Sequence, residues 1–270
     1  MSGSGAGVGT MVSMVGPTTA AIPSLIPWRA SVSSEPSPEQ TLQMPPMALG
    51  SGLLARSVKR AYDAVAAAYD DDERRMTWAR PVDLGLLFSF AKMVTAQPRS
   101  GVVGDVGCGT GHGTRVLTQL GLRMAGLDLS PEMIARARGN FPELDFAVAE
   151  LANLPVRSAS WAGAAALGTL WHCNAAERMA GLAELARVVA PGGVLLHGWL
   201  TSGPRRPAGS VQPLERWLGE EVNLELHLVS IKAAATEAAR AGFELISATE
   251  REPLPHELPL RRGFLLARRR

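Results

Sequence analysis

The chain has 270 residues, 46% hydrophobic and 19% charged, with a formal net charge of +2. The length is near twice the ~150 residues of a common domain, and the hydrophobic content excludes wholesale disorder. There is no run of ~18 apolar residues to span a membrane. Two cysteines, Cys108 and Cys173, exclude a disulfide framework or a cysteine-rich zinc site, so a reducing, cytoplasmic setting without a metal is expected.

Residues 1–50 carry only three charged side chains, Arg29, Glu35 and Glu39, among 21 Gly, Ser and Pro residues. Such a stretch cannot bury enough apolar surface to offset its ordering entropy, which suits a disordered tail. The alternatives are a start site misplaced among Met11, Met14, Met44 and Met47, or an arm docking on another subunit. A signal peptide fits poorly, because no Lys or Arg precedes the weakly apolar stretch 7–26. Residues 51–100 read as two helices forming an N-terminal lid over one edge of a domain. Tyr62, Val65 and Tyr69 share a stripe on the first; Leu84, Leu87, Phe88 and Ala91 share one on the second, after Pro81.

From Val102 strands and helices alternate, the pattern of a parallel sheet covered on both faces. Strands are expected at 102–106, 123–129, 144–149, 161–167 and 194–198, with helices at 113–120, 131–139 and 176–189. Ser130-Pro131-Glu132 is an N-cap, a first-turn proline and a first-turn acid. Pro191-Gly192-Gly193 is expected to end the helix over 176–189, and 201–212 reads as a loop within an insert at about 200–230. Ser230 can cap a helix over 231–241 closed by Gly242. The last two strands, 243–249 and 263–268, are close enough to pair antiparallel.

Between the first strand and its helix lies Asp105-Val-Gly107-Cys108-Gly109-Thr110-Gly111-His112-Gly113. Glycines there let the backbone turn sharply and approach a ligand at a helix N-terminus. His112 occupies the slot where a dinucleotide fingerprint wants its third glycine, and no Lys-Ser/Thr follows, which excludes a P-loop. Asp128 ends the second strand, 23 residues after Asp105, where an acid can accept from both ribose hydroxyls. Glu150 ends the third. All three acids thus fall at strand carboxyl ends, the edge where open α/β sheets bind ligands.

These residues, with Gly126-Leu-Asp128-Leu-Ser-Pro-Glu-Met133, Glu150-Leu-Ala-Asn-Leu-Pro155 and Glu184-Leu-Ala-Arg-Val-Val-Ala-Pro-Gly-Gly193, resemble the class I S-adenosylmethionine-dependent methyltransferases of small-molecule type, from about Val58 to Arg268. The resemblance implies an α/β, Rossmann-like, doubly wound seven-stranded sheet with an antiparallel last strand. It implies S-adenosyl-L-methionine as cofactor. Backbone at Gly107, Cys108 and Gly109 would hold its methionine part, with Asp105 close by. Asp128 would take the ribose, with Leu129 beside it, and Glu150 and the Leu151 backbone the adenine; Leu167 would line the site. Ala162 departs from the family by lacking a carboxylate in the fourth strand, and Gly104 replaces a larger apolar residue, which reads as a minor loss of packing.

The candidates for catalysis are His172, just past the fourth strand beside Trp171, Tyr69 on the first helix, and His227 in the insert. Histidine suits base work near neutrality; each has a structural alternative, and His112 and His197 read as filler and core. The expected acceptor is a small organic molecule, with methyl transfer to oxygen, nitrogen or carbon in specialised metabolism. Nucleic acid is disfavoured because the arginines form no basic patch, no membrane partner is expected, and homo-oligomerisation is left open. The alternative is a protein of the same fold that binds the cofactor for non-methylating chemistry such as cyclisation. A nicotinamide oxidoreductase is disfavoured by His112.

Overall fold

The computed structural model describes residues 51–270 apart from Thr77, Trp78 and Arg99; the tail expected over residues 1–50 lies outside the described residues. In chain order the elements are α1 (Ser51–Met76), α2 (Pro81–Thr95), β1 (Val102–Val106), α3 (His112–Gln119), β2 (Arg123–Asp128), α4 (Pro131–Asn140), β3 (Asp145–Val148), β4 (Trp161–Leu167), α5 (Ala175–Val188), β5 (Val189–Leu200), β6 (Val211–Trp217), β7 (Glu220–His227), α6 (Ile231–Arg240), β8 (Phe243–Arg251) and β9 (Arg262–Arg269). Seven strands form one sheet in the order β3-β2-β1-β4-β5-β9-β8. β1 to β5 are parallel, and β9 runs antiparallel between β5 and β8. The chain winds outward in both directions from β1 and β4, so the ligand crevice of such a sheet opens at their carboxyl ends. No described helix is long and apolar enough to cross a membrane.

Local signals account for most element ends. Ser130 Oγ accepts from Met133 N at the start of α4. Asn174 and Glu177 form a reciprocal capping box on α5, and Ser230 Oγ accepts from Ala233 N on α6. The core has a layer on each face of the sheet. One is built by Leu182, Leu185 and Val188 of α5 with Ala234 and Ala238 of α6. The other is built by Leu87, Phe90 and Val94 of α2 with Val116 and Leu117 of α3. β4 lies between both layers, buried from Trp161 to Ala166, so small residues are needed where helices press from two sides.

Three expectations change. Gly104 is no minor loss: a Cβ there would lie 2.1 Å from Cζ3 of Trp161, so the glycine vacates the space that the neighbouring strand's indole fills. Pro191-Gly192-Gly193 does not lie outside the sheet but within β5. Trp161 pairs with Val189 and Gly163 with Val194, a bulge made feasible by the positive φ of Gly192. The expected loop and insert contain an antiparallel hairpin, β6–β7, closed at Leu218-Gly219, where both φ angles are positive, at 49° and 92°. Such a turn matches the twist of paired strands, but it favours Asn or Gly at both places, and leucine conceals it.

Candidate active site

The carboxyl ends of β1, β2, β3 and β4 surround a cavity of about 210 Å³, roofed by α1 through Val58, Lys59, Tyr62 and Tyr69. The sequence between β1 and α3 bends because Gly107, Gly109 and Gly111 all take positive φ. A side chain at Gly107 would strike Thr169, whose Oγ1 donates to Val106 O at 2.5 Å, and one at Gly109 would meet the Tyr69 ring at 3.1 Å. The loop backbone therefore lies tightly between β4 and α1.

Asp128 is held from both sides. Its Oδ2 accepts from Gly109 N and its Oδ1 from Ser130 N, each at 2.9 Å. Burial raises its pKa, against the lowering effect of those N–H groups. Each oxygen keeps a lone pair, and the residue lines the cavity with Leu129, Glu150, Leu151 and Leu167. The donor set fits an adenosyl group: carboxylate acceptors for ribose hydroxyls and an exocyclic amine, and apolar walls for a base. Asp105 faces the adjoining cavity beside Gly107 and Gly113. It is 6% exposed and accepts from Thr114 Oγ1 at 2.6 Å. Burial lifts its carboxyl to about 6, against the Thr114 bond and with a smaller push from Asp128. The Cys108 side chain turns away into a cluster with Ile134, Ala137 and Phe146, leaving its backbone to the site.

The raised acid predicts a pH step. An ammonium group bound beside Asp105 would favour the ionised form, so its binding would expel the proton that the free protein holds below about pH 6. Cofactor affinity is expected to be flat above that pH and to fall as pH drops through it. Calorimetry between pH 5 and 8 checks this, and Asp105→Asn should abolish the step.

Two acids bolt α1 over the cavity. Asp63 Oδ1 accepts from Ser130 Oγ at 2.5 Å. Asp70 Oδ1 accepts from His112 Nε2 at 3.0 Å and from Asn140 Nδ2 at 2.7 Å. His112 thus faces α1 rather than the cofactor side, a correction to its reading as a filler there. Trp217 of the hairpin packs edge-on to Tyr62 and Tyr69, with ring centroids 5.2 and 5.6 Å away.

Beyond Gly107, Leu167 and the two tyrosines the space continues into a second cavity of about 370 Å³. Its walls come from Leu84 and Leu87 of α2, Trp199 and Leu200 of β5, Leu214 and Trp217 of β6, and Leu224 and Leu226 of β7. His172 sits where the two cavities meet. Its Nδ1 lies 2.9 Å from Glu225 O, which can only accept, so Nδ1 carries the proton. Nε2 then accepts from Trp171 Nε1 at 2.9 Å and from Tyr62 Oη at 3.0 Å. Burial holds the ring neutral down to about pH 4, against the Glu225 bond. A lone pair shared by two donors on so weak a base is poorly placed to take a proton. Burial also pushes the Tyr62 and Tyr69 hydroxyls up, so neither ionises near neutrality.

His227 lines neither cavity. Strand alternation sends Leu224 and Leu226 inward and His227 to the other face, 3.5 Å from Glu225 Oε2. This corrects its candidacy as an acceptor-side residue. His197 is core, with Nδ1 against Ala166 O at 3.1 Å. Sequence reasoning missed Thr169 and a buried ionic cluster at the far end of the larger cavity, formed by Arg80, Asp83, Arg251, Glu257 and Arg262.

A doubly wound sheet with a glycine loop after β1, an acid ending β2 and no pyrophosphate grip defines an S-adenosylmethionine-binding domain. Residues 103–193, about a third of the chain, match the family model described as a methyltransferase domain. S-adenosylmethionine is the cofactor of that family. A malonyl-[acyl-carrier protein] O-methyltransferase of Serratia marcescens is 31% identical over 176 residues, covering 64% of this chain and 61% of that protein. The chain thus spans about three fifths of that relative's length. A probable tRNA methyltransferase 9B of Mus musculus is 28% identical over 164 residues, covering 60% of this chain and 34% of that protein. The fold matches the solved structure of a DhpI–SAH complex with a TM-score of 0.61 at 24% identity, over 81% of this chain and 98% of that one. It also matches the [4+2]-cyclase SpnF, with a TM-score of 0.61 at 19% identity, over 80% of this chain and 96% of that one.

Proposed function

We propose that this protein is an S-adenosylmethionine-dependent methyltransferase acting on a small organic acceptor in specialised metabolism. One observation carries the reading: the cavity edged by Asp128 and Glu150 continues past Gly107, Tyr62 and Tyr69 into a larger chamber, with leucine and tryptophan walls and an ionic cluster at one end, of a size for a metabolite. The names of relatives span protein-linked and tRNA acceptors, and what favours a small molecule here is the chamber's enclosure by α1, α2 and the β6–β7 hairpin.

S-adenosylmethionine, when bound, supplies an activated sulfonium methyl. The chain's part is binding and alignment, worth several kcal/mol of a barrier by proximity alone. Asp128 and Glu150 orient the adenosyl part, the Gly107–Gly109 backbone and Asp105 hold the amino-acid part, and Tyr69 covers the loop. Tyr62, Trp171 and Trp217 exclude water between the chambers. His172 acts as a positioning residue: it ties β7 to the turn after β4 and fixes Tyr62 and Trp171.

Calorimetry with S-adenosylmethionine, S-adenosylhomocysteine and NADP is expected to show binding of the first two only. Binding of NADP alone would overturn the reading. His172→Ala is expected to cost about 2 kcal/mol in urea unfolding, since it strands Trp171 Nε1 and Glu225 O, the two partners of the ring. In an acceptor screen read by S-adenosylhomocysteine release, wild-type turnover should show no inflection near pH 6.5 that His172→Ala removes. Such an inflection would restore the base role. The committed Nε2 lone pair also favours a second reading, cofactor binding for non-methylating chemistry such as cyclisation; release of S-adenosylhomocysteine with any acceptor excludes it.

A further inference from the structure

We infer that the acceptor carries a carboxylate, gripped by Arg262 with Arg80 beside it at the far end of the larger cavity. This rests on the methyltransferase reading and deepens it. Glu257 anchors the cluster and is 2% exposed at its side chain. It accepts from Arg251 Nη1 at 2.7 Å, from Arg251 Nη2 at 2.9 Å and from Leu254 N at 2.9 Å. Arg251 spends its remaining donors on Asp83 and Glu252 O. That pair is complete and faces away from any ligand's needs.

Arg262 and Arg80 are not complete. Arg262 reaches Glu257 Oε2 (2.9 Å) and Leu260 O (3.3 Å) through Nη1 alone, leaving Nε and Nη2 without a partner among the described residues. Its side chain is 15% exposed and lines the cavity. Arg80 gives Nη1 to both oxygens of Glu73, while its buried Nε makes no hydrogen bond, lying 3.3 Å from a Glu257 oxygen with its hydrogen misaligned. Burial lowers the Arg262 pKa, opposed by Glu257 and aided by Arg251 and Arg80, so its charge is the least compensated of the three. Arg80, Arg251 and Arg262 are balanced by Glu73, Asp83 and Glu257. What the cluster offers an anion is therefore unspent, directed N–H groups, which suit the two-pronged shape of a carboxylate. Neither Arg80 nor Arg262 lines the smaller, adenosyl-side cavity. The carboxylate is thus a handle, and the leucine and tryptophan walls take the apolar body between it and the methylated atom.

The cofactor's own amino-acid carboxylate is the other source of the same chemistry, and the test separates them. With S-adenosylhomocysteine saturating, 4-phenylbutyrate and its neutral amide are titrated against the fluorescence of Trp171, Trp199 and Trp217, all of which line the cavity. The acid is expected to bind at least tenfold more tightly than the amide. Arg262→Gln should erase the preference with S-adenosylhomocysteine affinity intact, and Arg262→Lys, which keeps the ion pair with Glu257, should retain part of it. Parity of acid and amide, binding of neither, or a preference that survives Arg262→Gln overturns the inference alone. So does a tenfold loss of S-adenosylhomocysteine affinity in Arg262→Gln with 5′-methylthioadenosine unaffected, which would assign the guanidinium to the cofactor. A wild-type protein that binds no S-adenosylhomocysteine overturns the methyltransferase reading and this one with it.

Discussion

Gly104→Ala is expected to lower the unfolding free energy by about 3 kcal/mol, at the upper end of ordinary overpacking. The new Cβ would sit 2.1 Å from Cζ3 and 2.3 Å from Cη2 of Trp161, an indole that is 4% exposed and has no route out. β1 and β4 are paired neighbours in the middle of the sheet, with Gly104 opposite Ala164, so neither strand can retreat without breaking ladder bonds. Trp161→Ala, the converse change, should cost about 3–5 kcal/mol by leaving a cavity. The double variant Gly104→Ala, Trp161→Ala should recover part of that, because the new methyl enters the vacated space. Urea midpoints of the four proteins measure the coupling. Simple addition of the single effects would show that the two side chains do not share one volume. Gly104 also immediately precedes Asp105, so a displaced β1 should weaken cofactor binding in the same variant.

That pair marks where the sequence was legible and where it was not. Periodicity and turn residues located the parallel strands, and the glycine loop with Asp105, Asp128 and Glu150 located the crevice, because these are local signals with a direct physical cause. Gly104 looks like an isolated departure in sequence; only the register of β1 against β4 joins it to Trp161 as one feature. The hairpin escaped because Leu218 takes a left-handed conformation that leucine rarely adopts and Pro213 lies within β6. His227 was separable in principle: in Leu224-Glu-Leu-His-Leu228 the alternation already places it opposite the leucines. The ionic cluster was beyond reach, since Arg80, Asp83, Arg251, Glu257 and Arg262 come from α2 and its approach, β8, the following loop and β9.

Asp128→Ala should weaken binding of S-adenosylmethionine and S-adenosylhomocysteine alike by at least tenfold, about 1.4 kcal/mol or more. Two effects combine. The substitution removes the acceptor offered to a ribose, and it strands Gly109 N and Ser130 N, which both donate to this carboxylate. Asp128→Asn separates them: one amide oxygen can still accept from a loop N–H, but the charge and the second acceptor are gone, so its loss should be smaller. An S-adenosylhomocysteine analogue lacking the ribose 2′-hydroxyl isolates the direct contact. Against the wild type it should bind several-fold more weakly than the parent compound; against Asp128→Ala the two should bind equally. If both proteins discriminate to the same extent, the hydroxyl meets another group and Asp128 serves only the loop. Unchanged affinity for the parent compound in Asp128→Ala would remove the residue from the site altogether.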